Sequence, residues 1–479
     1  MSLGRHILSL TTGNVASQII GLATMPVITR MYAADAYGVF SIFLALVSML
    51  APISCLQYEV AIALPRTRAS ALVVQQLCGI VLIAFCVLVG IVELGLDMLV
   101  RSDTFTTDLL PDQRLSMMWW LLPVALFVQG RMTISSSWLI REKEFTRASW
   151  GRISEVLVDR AAAMLTGIFA ATPLALVFAR VSGWVSAAIT MRRRGPQSGE
   201  SVHEAAPTLS EVATQYKSLP LFSTWAVLLG TAARETPLIA LGIFFSPAVA
   251  GLYGLGVRVV NLPAQVIGDA IGRAFFQRAA ELHARNEVIA RHSCAILKFG
   301  LYAAIPPAVV LITLAPELFA LVFGNEWREA GVYAQILVPM FVILFIQRPA
   351  WGLFDVFDKQ REKLAINALT VAGRLGPVIL GAVVQWSTHT TLLVMSVSTM
   401  VVYGVGMAIA MHHAGVTWGM VRETIVHAGK RLAPCVIVAL VPYWIGITGW
   451  TALAAGTLVI LGQYALIWFY EPQVRAVLR

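Results

Sequence analysis

Apolar runs of about twenty residues recur from one end of this chain to the other, separated by short polar breaks. That length matches a helix crossing the hydrocarbon core of a bilayer. Fourteen such runs are distinguishable, at approximately 10–29, 38–56, 71–94, 117–139, 150–170, 173–191, 219–243, 247–268, 294–323, 333–354, 364–385, 389–411, 432–449 and 451–470. They are continuous, unlike the alternating segments of about ten residues that outer-membrane barrels show. The pattern predicts an all-α polytopic membrane protein of about fourteen transmembrane helices. The fifth run is the least apolar, since it carries Glu155, Asp159 and Arg160. The first follows Arg5 closely, contains Pro26 and ends in no small-residue cleavage site, so it is expected to be a retained helix.

The polar breaks divide the chain. The stretch 192–218 opens with Arg192-Arg193-Arg194 and continues rich in Gly, Pro, Ser and Glu, as a flexible linker does. It is expected to separate a six-helix bundle over 1–191 from a second over 219–413, with two extra helices over 414–479, the bundles enclosing a central cavity. A second polar stretch, near 270–290, places Ile271, Phe275, Ala279 and Leu282 at helical spacing, with Arg273, Arg278, Glu281 and Arg285 elsewhere around the helix. It predicts an amphipathic helix at the cytoplasmic interface, its basic residues on anionic head groups. The strings Pro26–Phe43 and Pro237–Gly256 echo each other, each with Pro, a turn, then Gly beside apolar and aromatic residues opening the next helix. Internally repeated bundles are common in alternating-access transporters.

Composition supports the membrane assignment: 58% of residues are hydrophobic, 13% are charged and the mean hydropathy is +0.76. Soluble proteins carry roughly a quarter charged residues. The net charge of +9 is distributed by side and gives no reason to expect nucleic acid. Of the 35 Lys and Arg residues, twenty-four fall in alternate polar segments that share a side with Arg5. The opposite loops hold only Arg30, Arg101, Arg114 and Arg328. By the positive-inside rule both termini are cytoplasmic. The five cysteines, Cys55, Cys78, Cys86, Cys294 and Cys435, lie in or beside apolar runs without metal-ligand spacing, and are expected to be small core residues.

Seven arginines remain once those at the loops and run edges are counted: Arg131, Arg160, Arg180, Arg234, Arg258, Arg348 and Arg374. A charge at the centre of a membrane helix costs roughly 2.5–3.5 kcal/mol on insertion scales, so each needs a reason. Arg131, Arg180 and Arg374 can escape by snorkelling. Arg234 lies near the middle of its run, followed by Glu235 and Pro237. Neighbours on a helix point about 100° apart, so Arg234 and Glu235 need not pair with each other. A proline there removes a backbone hydrogen bond and frees carbonyls. These residues are expected to line a polar cavity, the alternative being an inter-helix ion pair. Guanidinium groups outnumber acids inside the runs, which suits an anionic cargo bound through its phosphate or carboxylate oxygens. Asp159 and Glu235 are candidates for a coupling ion, if burial outweighs pairing with arginine. No phosphate-cradling GxxxxGK[ST] motif occurs, His412-His413 has no clustered ligands, and neither a catalytic centre, a metal nor a cofactor is expected.

Three strings resemble the polysaccharide-biosynthesis flippases, the Wzx type within the multidrug/oligosaccharidyl-lipid/polysaccharide exporter superfamily. They are "FGNEWREAGVYAQILVPMF" (Phe323 to Phe341), the stretch from Arg234 to Leu282 opening "RETPLIALGIFF", and the stretch from Thr24 to Pro65 opening "TMPVITRMYAADAYGVF". The resemblance implies an inner-membrane protein that is not an enzyme. It would move a polyprenyl-diphosphate-linked oligosaccharide to the periplasmic leaflet by ion-coupled alternating access, among membrane lipid and alongside a polysaccharide polymerase and glycosyltransferases. Carried over by position, Arg234, Glu235 and Arg258 become cavity residues, and Tyr58 and Glu59 match a tract on the cytoplasmic side of the second helix. Gln57 departs from that tract, where Arg is expected. Arg131, Arg180, Arg348 and Arg374 complete the substrate-cavity candidates. A peptidoglycan-precursor flippase and a drug or cation exporter are the rivals within transport, and acids would dominate the cavity of the latter. A membrane polymerase or ligase would need larger periplasmic loops than 95–116 provides.

Overall fold

A computed structural model describes residues 13, 16–101, 120–192, 207–263, 268–285, 287–444 and 450–470. Every regular element among them is helical. Each expected run from 38–56 to 451–470 overlaps a helix. Among the described residues, eight helical stretches, from Ala34–Ile53 to Thr388–His413, are long and apolar enough to span a bilayer. The count of fourteen is not reproduced by that measure. The helix Pro247–Pro263 has 17 residues, a rise of roughly 26 Å against a hydrocarbon core of about 30 Å, while Phe145–Phe169 carries internal charges. The long helix Arg68–Arg101 illustrates the lipid-facing design. Its residues Cys78 and Leu82 are buried, whereas Ile80, Ile83, Val87, Leu88 and Ile91 are exposed. Such an aliphatic flank belongs in lipid, and the protein is a multi-pass membrane protein.

The chain forms two compact units, Met1–Gly251 and Leu252–Arg479. The first contains α1 (Met25–Met31), α2 (Ala34–Leu50), the short α3 (Tyr58–Ala61), α4 (Arg68–Arg101), α5 (Leu122–Arg141), α6 (Phe145–Phe169), α7 (Pro173–Thr190), α8 (Leu209–Gln215), α9 (Thr224–Phe244) and the start of α10 (Pro247–Pro263). Helix α9 runs unbroken through Pro237. The two echoing strings adopt the same order of elements, a helix with Pro, a turn and a second helix, and they meet. A Cβ built on Gly38 of α2 would lie 1.7 Å from the carbonyl oxygen of Pro247, and one on Gly251 would lie 2.3 Å from that of Ala34. Only glycine allows backbones this close.

The second unit continues through α11 (Asp269–Ala284), α12 (Ala290–Phe323), α13 (Arg328–Ala350), α14 (Leu353–Val356), α15 (Gln360–Val384), α16 (Thr388–His413), α17 (Trp418–Trp444) and α18 (Trp450–Tyr470). Its core gathers Phe275, Ala279 and Leu282 of α11 with Phe345, Phe354 and Met411. The apolar stripe expected to lie in the interface is therefore covered by protein. Burial against aromatic side chains satisfies the same stripe that lipid would, and sequence alone does not distinguish them. Trp327, within the string Phe323 to Phe341, is fully buried.

Candidate functional site

In the first unit, α2 gives way through a 3-10 turn to Leu56 and Gln57, both in the left-handed region (φ 50° and 62°), before α3 begins. Non-glycine residues held there mark a backbone fixed by its surroundings. The Gln57 amide donates to the carbonyl of Pro52 at 2.6 Å. Arg141 at the end of α5 donates to the carbonyls of Ile62, Pro65 and Thr67 at 3.1, 2.6 and 3.0 Å, pinning the segment after α3. Within this frame the Tyr58 hydroxyl donates to the carbonyl of Ala213 on α8 at 3.5 Å. Glu59 is 6% exposed, and its Oε2 atom has no hydrogen-bond partner among the described residues. Desolvation pushes its carboxyl up to about 7. Cys55 and Cys78 lie within electrostatic range of it, both as free thiols.

The acids of α6 are handled differently. Glu155 and Asp159, one turn apart, share a face, and each is 5% exposed. Arg180 of α7 reaches both, at 3.1 Å to Glu155 and 3.3 Å to Asp159. Arg152 adds a contact to Glu155 at 3.5 Å, and Arg160 one to Asp159 at 3.8 Å. The guanidinium of Arg180 also lies over the buried Trp184 ring, 5.0 Å from its centroid. The helices close on this cluster because Gly183 leaves room: a Cβ there would sit 2.6 Å from the Glu155 carbonyl oxygen. Three guanidiniums meet two carboxylates in one locked joint.

The remaining candidates are dispersed. Arg234 is exposed on α9 and forms no hydrogen bond or ion pair among the described residues, while Glu235 beside it is half-buried. Arg131 on α5 is exposed, within electrostatic range of Cys55. In the second unit Arg258 is exposed and Arg348 half-buried, its stem against Gly268. Arg374 on α15 is buried and donates to the Tyr403 hydroxyl of α16 at 2.6 Å, over whose ring it also lies. Thus the structure brings Asp159 and Arg180 together, and places Tyr58 and Glu59 on one short helix. Arg131 and Arg234 stand separately on α5 and α9. Glu93 is absent from the sequence-based set, yet it is buried on α4 and neither carboxylate oxygen meets a partner among the described residues. An acid inside the run 71–94 was the available signal. The described residues hold no group of three or more His, Cys, Asp or Glu able to bind a metal.

The described helices follow a fold known from solved membrane proteins. The fold matches "Lipid II flippase MurJ, inward closed conformation" with a TM-score of 0.63 at 10% identity, over 98% of this chain and 99% of that one. It also matches the inward-facing conformation of a multidrug resistance MATE family transporter of the MOP superfamily, with a TM-score of 0.59 at 13% identity over 85% and 94%. No curated protein matches the sequence itself. A family model described as "Polysaccharide biosynthesis protein" matches residues 27–332. The chain belongs to that polysaccharide biosynthesis family, as its strings suggested.

Proposed function

We propose that this protein flips a polyprenyl-diphosphate-linked oligosaccharide from the cytoplasmic to the periplasmic leaflet of the inner membrane, with both termini cytoplasmic. The observation that carries this reading is family membership over residues 27–332 on an exporter fold. The excess of arginine within the helices supports it, because a guanidinium grips phosphate oxygens in a bidentate fork. Arg234 is the first residue we assign to the diphosphate, since its guanidinium is exposed and uncommitted within the described residues. Asp159 is held by Arg180 and Arg160, so of the two expected coupling acids we retain Glu235. Alternating access of two bundles around a central cavity, driven by an ion gradient, completes the reading.

The test is translocation of a fluorescent polyprenyl-diphosphate oligosaccharide in proteoliposomes, with and without an imposed proton gradient. Arg234→Ala should slow movement roughly ten- to a hundredfold, the loss of a charge-assisted hydrogen bond, with unchanged protein level. Arg234→Lys should recover only part of that rate. A peptidoglycan-type lipid precursor in a parallel arm distinguishes the rival flippase. Equal rates for Arg234→Ala and the parent protein would remove the arginine from the path.

A further inference from the structure

We infer that α11 and the first half of α17 together form a docking surface for anionic phospholipid. The two helices share one apolar cluster on α12. Ala428 and Leu432 of α17 are buried against Phe299 and Tyr302, and Ile271 of α11 joins that cluster. The inward faces of both helices are thus spent on protein. What they turn outward has a mixed character that the protein interior does not use.

On α11, Arg273 and Arg278 are exposed, with Arg285 just beyond its end. Glu281 offsets part of this charge through its 3.3 Å contact with Arg278. On α17, Arg422 and Lys430 are exposed beside the acidic Glu423. Between and ahead of these charges stand apolar groups exposed to the surroundings: Trp418 is 76% exposed, Ile425 46% and Val426 48%. An indole at the head of such a helix suits the boundary between head groups and acyl chains. The aliphatic pair offers acyl chains a contact, while the basic residues suit a phosphodiester. Each Lys or Arg near an anionic leaflet contributes roughly fivefold in affinity.

A soluble phosphate would use the charges alone and leave the exposed tryptophan and aliphatic residues unexplained. The surface therefore fits a lipid whose head group is anionic and whose chains lie alongside. Its residues belong to the second unit, whereas Arg234 and the Glu59 tract belong to the first.

The experiment uses the full-length protein in neutral detergent, titrated with phosphatidylglycerol, with phosphatidylcholine of the same chains, or with inorganic pyrophosphate. Bound lipid is counted by native mass spectrometry and thermal unfolding is followed in parallel. Phosphatidylglycerol should bind at least tenfold more tightly than phosphatidylcholine and raise the unfolding temperature, whereas pyrophosphate should not. Replacing Arg273, Arg278, Arg422 and Lys430 together by Gln should remove that preference, and a set carrying Lys at the three arginine positions should restore it. Trp418→Ser should weaken binding of both lipids alike. Equal affinity for the two lipids, an unchanged preference in the Gln set, or a pyrophosphate effect matching that of phosphatidylglycerol would each overturn the inference.

Discussion

At the α6–α7 crossing, Glu155 and Asp159 are answered by Arg180 at 3.1 and 3.3 Å, whereas on α3 the equally buried Glu59 has an oxygen that meets no donor. The two sites lie in one unit and exclude water to a similar degree, yet they solve the burial of an acid in opposite ways. In the first, ion pairing and a stacked indole offset desolvation, and the group is fixed as part of a joint. In the second, desolvation is unrelieved, and the carboxyl is lifted to about 7, where it changes protonation near neutral pH. Burial alone therefore does not separate a structural acid from a responsive one. The partner does.

The largest effect expected follows from breaking the joint. Arg180→Ala leaves two buried carboxylates without their main counter-charge and should destabilise the protein by about 3–5 kcal/mol, read as a fall in unfolding temperature in detergent and in membrane-inserted yield. An Arg180→Ala protein as stable as its parent would erase the contrast between the two sites. The next effect is pH-dependent. Because the folded-state pKa of Glu59 is raised from 4.5 to about 7, the protonated form is favoured by folding. Its stabilising contribution is complete below about pH 4.5 and is lost as pH rises through about 7. Glu59→Gln stays neutral throughout, so it should remove a loss on the order of a few kcal/mol between pH 5 and 8. Parallel stability curves for parent and variant over that range would show that Glu59 is relieved by a partner after all. The smallest effect belongs to Tyr58→Phe. It deletes a long hydrogen bond to Ala213 and should cost about 0.5 kcal/mol, with the main change appearing as faster proteolysis near α8.

Much of this was visible in the order of residues. The apolar runs located the helices, since a membrane span is a one-dimensional feature, and the spacing of Glu155 and Asp159 placed both on one face. Their relief was not visible, because Arg180 sits on the next helix and reaches them only through the close approach at Gly183. Asp159 accordingly looked like a coupling group when read along the chain alone. The stripe Phe275, Ala279 and Leu282 was legible as a stripe, but its cover is a three-dimensional fact. Glu59 was found through the resemblance of its tract, while its unpartnered oxygen depends on everything packed around it. Glu93 gives almost no signal, because a single acid in a long apolar run leaves the mean hydropathy nearly untouched.

Finally, the meeting of Gly38 with Pro247 and Gly251 makes a hydrogen atom the working part. At most positions a substitution asks about charge, size or polarity, and different replacements give different answers. Here the space ends before any of those properties begins. Alanine, lysine and phenylalanine all pose one question: what happens when a spacer is driven between two helix ends. Any conclusion about the chemistry of these glycines would be a conclusion about mechanical clearance, and the nearest thing to a conservative change at either position is none at all.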